Sequence, residues 1–92
     1  MNRKFNKALY LLDQGKYGEG LELFETAFEQ EDNLLWKLEI KSCMMEVLYE
    51  MEEFDKVREC IDFILRNTDE YDDSRPREFA EDILEEMNQV GR

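Results

Sequence analysis

Histidine is absent from the 92 residues of this chain. With it go the commonest general base and metal ligand, so Ser-His, Cys-His and imidazole–zinc arrangements are excluded. Cysteine is scarce, with Cys43 and Cys60 alone. That usage suits a reducing cytosol rather than a disulfide framework, and it leaves no second pair of ligands for a metal centre. Positive charge is also short: 12 Lys and Arg against 24 Asp and Glu give a net charge of −12. Duplex nucleic acid is disfavoured as a direct ligand, because phosphate backbones are bound largely through Lys and Arg, and an anionic membrane surface would repel the chain. Apolar runs such as Leu34-Leu35-Trp36 and Cys43-Met44-Met45 fall far below the roughly 20 residues that cross a bilayer. The charged start Met1-Asn2-Arg3-Lys4 leads into no signal-peptide core, so a cytoplasmic protein is expected. Gly15, Gly18 and Gly20 are clustered, but they lack the lysine and the preceding apolar strand of a nucleotide-binding loop.

What the chain does have is 42% hydrophobic and 12% aromatic residues, enough for a packed core. Their spacing is helical nearly everywhere. Phe5, Ala8, Leu9, Leu11 and Leu12 form a stripe closed by Gln14-Gly15, which predicts a first helix over 2–14. Tyr17, Gly20, Leu21, Phe24, Ala27 and Phe28 predict a second to about residue 29, antiparallel to the first. Trp36, Ile40, Cys43, Met44, Val47, Leu48 and Met51 predict the longest helix, over 34–51, with Asp32 or Asn33 as its N-cap. Phe54, Val57, Cys60, Ile61, Ile64 and Leu65 mark a fourth. After an acidic loop, Pro76 opens a fifth, over 76–90, with the apolar face Phe79, Ala80, Ile83, Leu84 and Met87. The aromatic residues Tyr17, Phe24, Trp36 and Phe54 are expected in the core.

Compared at an offset of 37 residues, the first helix pair resembles the second: Leu11-Leu12 falls on Leu48-Tyr49, Tyr17 on Phe54, Gly20 on Val57, Phe24 on Ile61, and Ala27-Phe28 on Ile64-Leu65. The first copy carries Ala8, Leu11, Gly15, Tyr17, Gly20, Phe24 and Ala27 at the spacing of a tetratricopeptide repeat, which it resembles closely. The resemblance is strong over 2–29 and weaker over 39–66, where Glu52 stands for the turn glycine and Met45, Val57 and Ile64 for the small residues. The expectation is an all-α domain over 1–92: two tetratricopeptide-like hairpins, 2–29 and 34–66, and a capping helix over 76–90.

The resemblance implies a non-enzymatic module that holds a partner in the groove lined by the first helix of each hairpin. Carried onto this sequence, the groove is lined by Asn2, Phe5, Leu9, Leu12 and Asp13, and by Glu39, Ser42, Glu46, Tyr49 and Glu50. Phe5 and Leu9 stand where carboxylate-binding members use lysine and asparagine. The groove is instead apolar on one side and acidic on the other, which suits a basic or amphipathic segment of another protein. A second reading is a small acidic inhibitor, of immunity type, that covers the basic site of a nuclease or other nucleic-acid-binding protein. It would act through Asp69, Glu70, Asp72 and Asp73 together with Glu81, Asp82, Glu85 and Glu86. Self-association is a third, since two and a half hairpins are few to close a repeat core. No cofactor, metal or catalytic residue is expected, and the carboxylates of the last helix read by default as a solvated face.

Overall fold

The apolar positions recurring every three or four residues become the buried faces of α-helices. The computed structural model describes residues 3–68 and 75–90, and its elements are α1 (Arg3–Asp13), α2 (Tyr17–Gln30), α3 (Leu34–Glu50), α4 (Phe54–Asn67) and α5 (Arg75–Val90). There is no strand among the described residues, and the fold is all-α. Each helix begins and ends within a residue or two of its expected bounds. Adjacent helices pack as expected of a helical repeat, α1 on α2 and α4 on α5. The acidic stretch Asp69 to Asp73 lies outside the described residues. The chain divides into two compact units, Met1–Ile40 and Lys41–Arg92, so the division falls inside α3 rather than in a loop.

In the first unit, α1 and α2 meet through small residues. Ala8 and Ala27 are fully buried, and a Cβ on Gly20 would stand 2.8 Å from Leu12 Cδ2 and 3.3 Å from the Ala8 carbonyl oxygen. Close backbone approach is therefore what glycine secures here. Phe5 and Phe24 fill the remaining space edge to face, their ring centroids 5.5 Å apart. The Lys37 ammonium sits 4.5 Å from the centre of the Phe28 ring. Of the two candidate caps of α3, Asn33 acts: its Oδ1 accepts from the Trp36 amide at 3.2 Å.

The 37-residue repeat is carried by the backbone as well as by the side chains. At the end of α1 the Gly15 and Lys16 amides donate to the Leu12 and Leu11 carbonyls, both at 2.9 Å. At the end of α3 the Glu52 and Glu53 amides donate to the Tyr49 and Leu48 carbonyls, at 3.0 and 2.9 Å. Both are Schellman closures, with the pivotal residue left-handed: φ is +79° at Gly15 and +62° at Glu52. The next residue also repeats, Lys16 at φ −92°, ψ 70° and Glu53 at φ −89°, ψ 68°. The turn thus survives the replacement of glycine by glutamate. Where the first hairpin has Ala8, Gly20 and Ala27, the larger Met45, Val57 and Ile64 are buried at the equivalent positions of the second.

In the second unit α4 ends on three consecutive carbonyls that side chains satisfy. Asn67 Nδ2 donates to Phe63 O at 2.7 Å, Thr68 Oγ1 to Ile64 O at 2.7 Å, and Arg77 Nη1, from α5, to Leu65 O at 3.3 Å. These carbonyls lie at the negative end of the helix dipole, and a guanidinium suits that end. Ala80, Ile83 and Met87 are buried as α5 packs on α4.

Several aromatics depart from the expected core. Phe24 is buried, but Tyr17, Trp36 and Phe54 are each close to 40% exposed. Tyr17 and Phe54 are the first residues of α2 and α4, and Trp36 lies in the first turn of α3, where no preceding helical turn covers the ring. Met51 is exposed for the corresponding reason, beyond the last turn of α3. Leu38 and Met45, outside the expected stripe, are buried. The buried positions of α3 cover more of its circumference than a single stripe allows.

Candidate functional site

The side chains expected to meet a partner divide between the two units, and their surroundings sort them by role. In the first unit, Phe5 is 4% exposed and stacked against Phe24. That corrects its expected place on the surface, because a ring spent on the hairpin core has no face left for a partner. Leu12 is half-buried and lies over Gly20, at the α1–α2 contact. Leu9, 38% exposed, is the apolar side chain of α1 among these that reaches solvent, and exposed Asp13 stands one turn away on the same face. Tyr10, more exposed still, was not singled out by the sequence. At the start of α3, exposed Glu39 shares a face with exposed Leu35 and Trp36, one turn earlier. Asn2 lies outside the described residues.

In the second unit, exposed Glu46 and Glu50 are one turn apart on α3, with half-buried Tyr49 beside Glu50. The Tyr49 ring meets Phe54 edge to face, centroids 5.7 Å apart. Its hydroxyl lies in the neighbourhood of the Glu86 side chain of α5. Partial desolvation, then the neighbouring Glu86 and Glu50 side chains, hold the phenol pKa above its ordinary value. This proximity could not be read from the sequence, since its partners lie on helices far apart in the chain. A signal was present only in the acidic face of α5.

On that face Glu78, Glu81, Asp82, Glu85 and Glu86 are all exposed. Arg77 pairs with Glu81 at 3.3 Å. A shallow depression is lined by Asp82, Ile83, Glu85, Glu86 and Gln89. Among the described residues no group of three or more acidic or thiol side chains is placed to hold a metal ion, and no helix is long and apolar enough to cross a membrane. Burial pushes the Cys60 thiol above its ordinary pKa, Glu59 adds to the shift and Lys41 opposes it, so the sulfur is held as a thiol rather than as a nucleophilic thiolate. No protein-family model, curated protein or solved structure matches the chain.

Proposed function

We propose that this chain is a tetratricopeptide-like, non-enzymatic interaction module that binds a basic or amphipathic segment of a partner protein. The observation that carries the reading is the repeated placement of an exposed apolar side chain within one helical turn of an exposed carboxylate. Leu9 stands with Asp13, and Leu35 and Trp36 with Glu39, while half-buried Tyr49 lies by Glu46 and Glu50. Apolar anchors supply affinity, and the surrounding negative charge steers a basic segment to them.

Two carboxylates lend further support. Asp13 and Glu50 are the last residues of α1 and α3, at repeat-equivalent positions. There each opposes the negative end of its own helix dipole, at a cost of about 0.3–1 kcal/mol. Residues that work against local stability in the same place twice are candidates for a role outside folding.

The test is titration of the full chain with a helical peptide carrying leucine on one face and lysine on the other, against a scrambled peptide of the same composition. The ordered peptide binds more tightly, Leu9→Ala weakens it more than about tenfold, and Glu46→Gln flattens the salt dependence. Equal binding of both peptides, indifferent to Leu9→Ala, overturns the reading. A second reading, an acidic cover for the basic site of a nucleic-acid-binding protein, is favoured by the unbroken acidic face of α5. Under it, Glu81→Gln with Glu85→Gln abolishes binding to a basic nucleic-acid-binding protein while Leu9→Ala does nothing.

A further inference from the structure

We infer that the chain associates head to tail with a second copy of itself, the outer face of α1 in one copy docking antiparallel on the acidic face of α5 in the next. This goes beyond the interaction-module reading, because it uses a different stripe of α1 and fixes the partner. Arg3, Lys7 and Tyr10 follow one another at spacings of four and three on the solvent side of α1, and all are exposed. Tyr10, at 62%, is the most exposed large hydrophobic side chain among the described residues. Leu9 is about 100° further round the helix from it. Among the described residues neither Arg3 nor Lys7 enters an ion pair.

The sign of this stripe is the reverse of the chain's. Helix α1 carries Arg3, Lys4 and Lys7 against Asp13 alone, within a net charge of −12. Its complement is on α5, where exposed Asp82, Glu85, Glu86 and Gln89 line a shallow depression together with Ile83. Asp82 and Glu85 enter no ion pair among the described residues. A phenol suits that depression, since its ring covers the apolar part and its hydroxyl can donate to the carboxylate rim. Both halves of the contact are thus present on one chain, which is what a heterologous contact between copies requires.

The helix ends give the direction. No acidic residue stands in the first turn of α1, where Arg3 and Lys4 oppose the positive end of their own dipole. No basic residue stands in the last turn of α5, and Glu86 directly precedes it. Antiparallel docking sets the positive end of one helix beside the negative end of the other, so charges that work against their own helices favour the contact. With Tyr10 seated at Ile83, Lys7 comes level with Glu86 and Arg3 with the end of α5, at about 1.5 Å per residue on both helices. Two chains of net charge −12 repel at long range. Near physiological salt the screening length is about 8 Å, so distant charges are damped while pairs in contact keep most of their attraction.

Sedimentation equilibrium of the full chain near physiological salt tests this across dissociation constants from about 10 μM to about 1 mM. The expected result is a weight-average mass that rises with concentration, with Tyr10→Ala and Glu85→Lys each weakening association at least about tenfold. Alanine is the better helix former, and lysine near a helix C-terminus suits the dipole, so an unchanged unfolding temperature separates a lost contact from a lost fold. Lys7→Gln repeats the loss on α1 with the ring left in place. Mixing the Tyr10→Ala and Glu85→Lys chains restores association, because the intact α5 of the first receives the intact α1 of the second. A parent chain that stays monomeric throughout the range, association indifferent to these substitutions, or no recovery on mixing overturns the proposal. Leu9→Ala leaves association unchanged while weakening the leucine–lysine peptide. A monomer that still binds that peptide keeps the interaction module and loses this contact, and an associating chain that ignores the peptide does the reverse.

Discussion

Glu52 occupies a conformation that belongs to glycine. At φ +62° its Cβ crowds its own carbonyl, which costs a residue other than glycine about 1–2 kcal/mol. The turn holds because the closure around it is the one that Gly15 makes, amide for amide, so the hydrogen bonds over-determine the backbone. Glu52→Gly relieves the strain but gives an unfolded chain with more freedom to lose, so the net gain is about 0.5–1 kcal/mol. Gly15→Ala runs the other way and loses about 1 kcal/mol. Denaturant unfolding of the two variants gives shifts of opposite sign at the two equivalent positions. A loss on Glu52→Gly would mean that the glutamate side chain contributes more at this turn than its backbone costs.

At the scale of the element, α5 is the piece whose role turns on a single packed face. Ala80, Ile83 and Met87 are buried, its outer face is acidic, and Arg77 ties its first turn to the end of α4. Each large apolar side chain removed from water is worth about 1.5–3 kcal/mol. Truncation after Asp73 therefore bares apolar α4 surface worth several kcal/mol and yields aggregation or a new dimer by size-exclusion chromatography. A soluble monomer with unchanged unfolding would make α5 a tail rather than a cap. The faces of α1, α2, α4 and α5 were legible in the sequence because each is one stripe at helical spacing, and their ends were marked by Gly15, by the polar stretch to Asn33 and by Pro76. Helix α3 was less so: with apolar residues around most of its circumference, periodicity cannot rank Leu38 or Met45 against Trp36. Aromatic identity misled at Tyr17 and Phe54 because a residue's exposure also depends on its distance from the helix end. In the candidate site, Leu9 could be placed from spacing alone. The exclusion of Phe5 and the proximity of Tyr49 to Glu86 required the packing of separate helices.

For the whole molecule, a net charge of −12 on a chain of 92 residues acts on folding and on binding with opposite sign in salt. Self-repulsion among carboxylates destabilises the compact state, and added salt screens it. The ion pairs that salt would also weaken, Asp62 with Arg66 at 3.0 Å and Arg77 with Glu81 at 3.3 Å, are solvent-exposed and contribute little. Raising ionic strength from about 0.01 to about 1 M shortens the screening length from about 30 to about 3 Å. The unfolding temperature should rise by several degrees, since about 1 kcal/mol moves a domain of this size by about 4–8 °C. Association with a basic peptide should weaken over the same range, chiefly through a slower on-rate. The opposed signs make the pair informative. If salt weakened binding only by loosening the fold, the unfolding temperature and the affinity would fall together. Calorimetric unfolding and stopped-flow association across one salt series distinguish the two, and a parallel decline would remove electrostatic steering from the account of how this surface finds its partner.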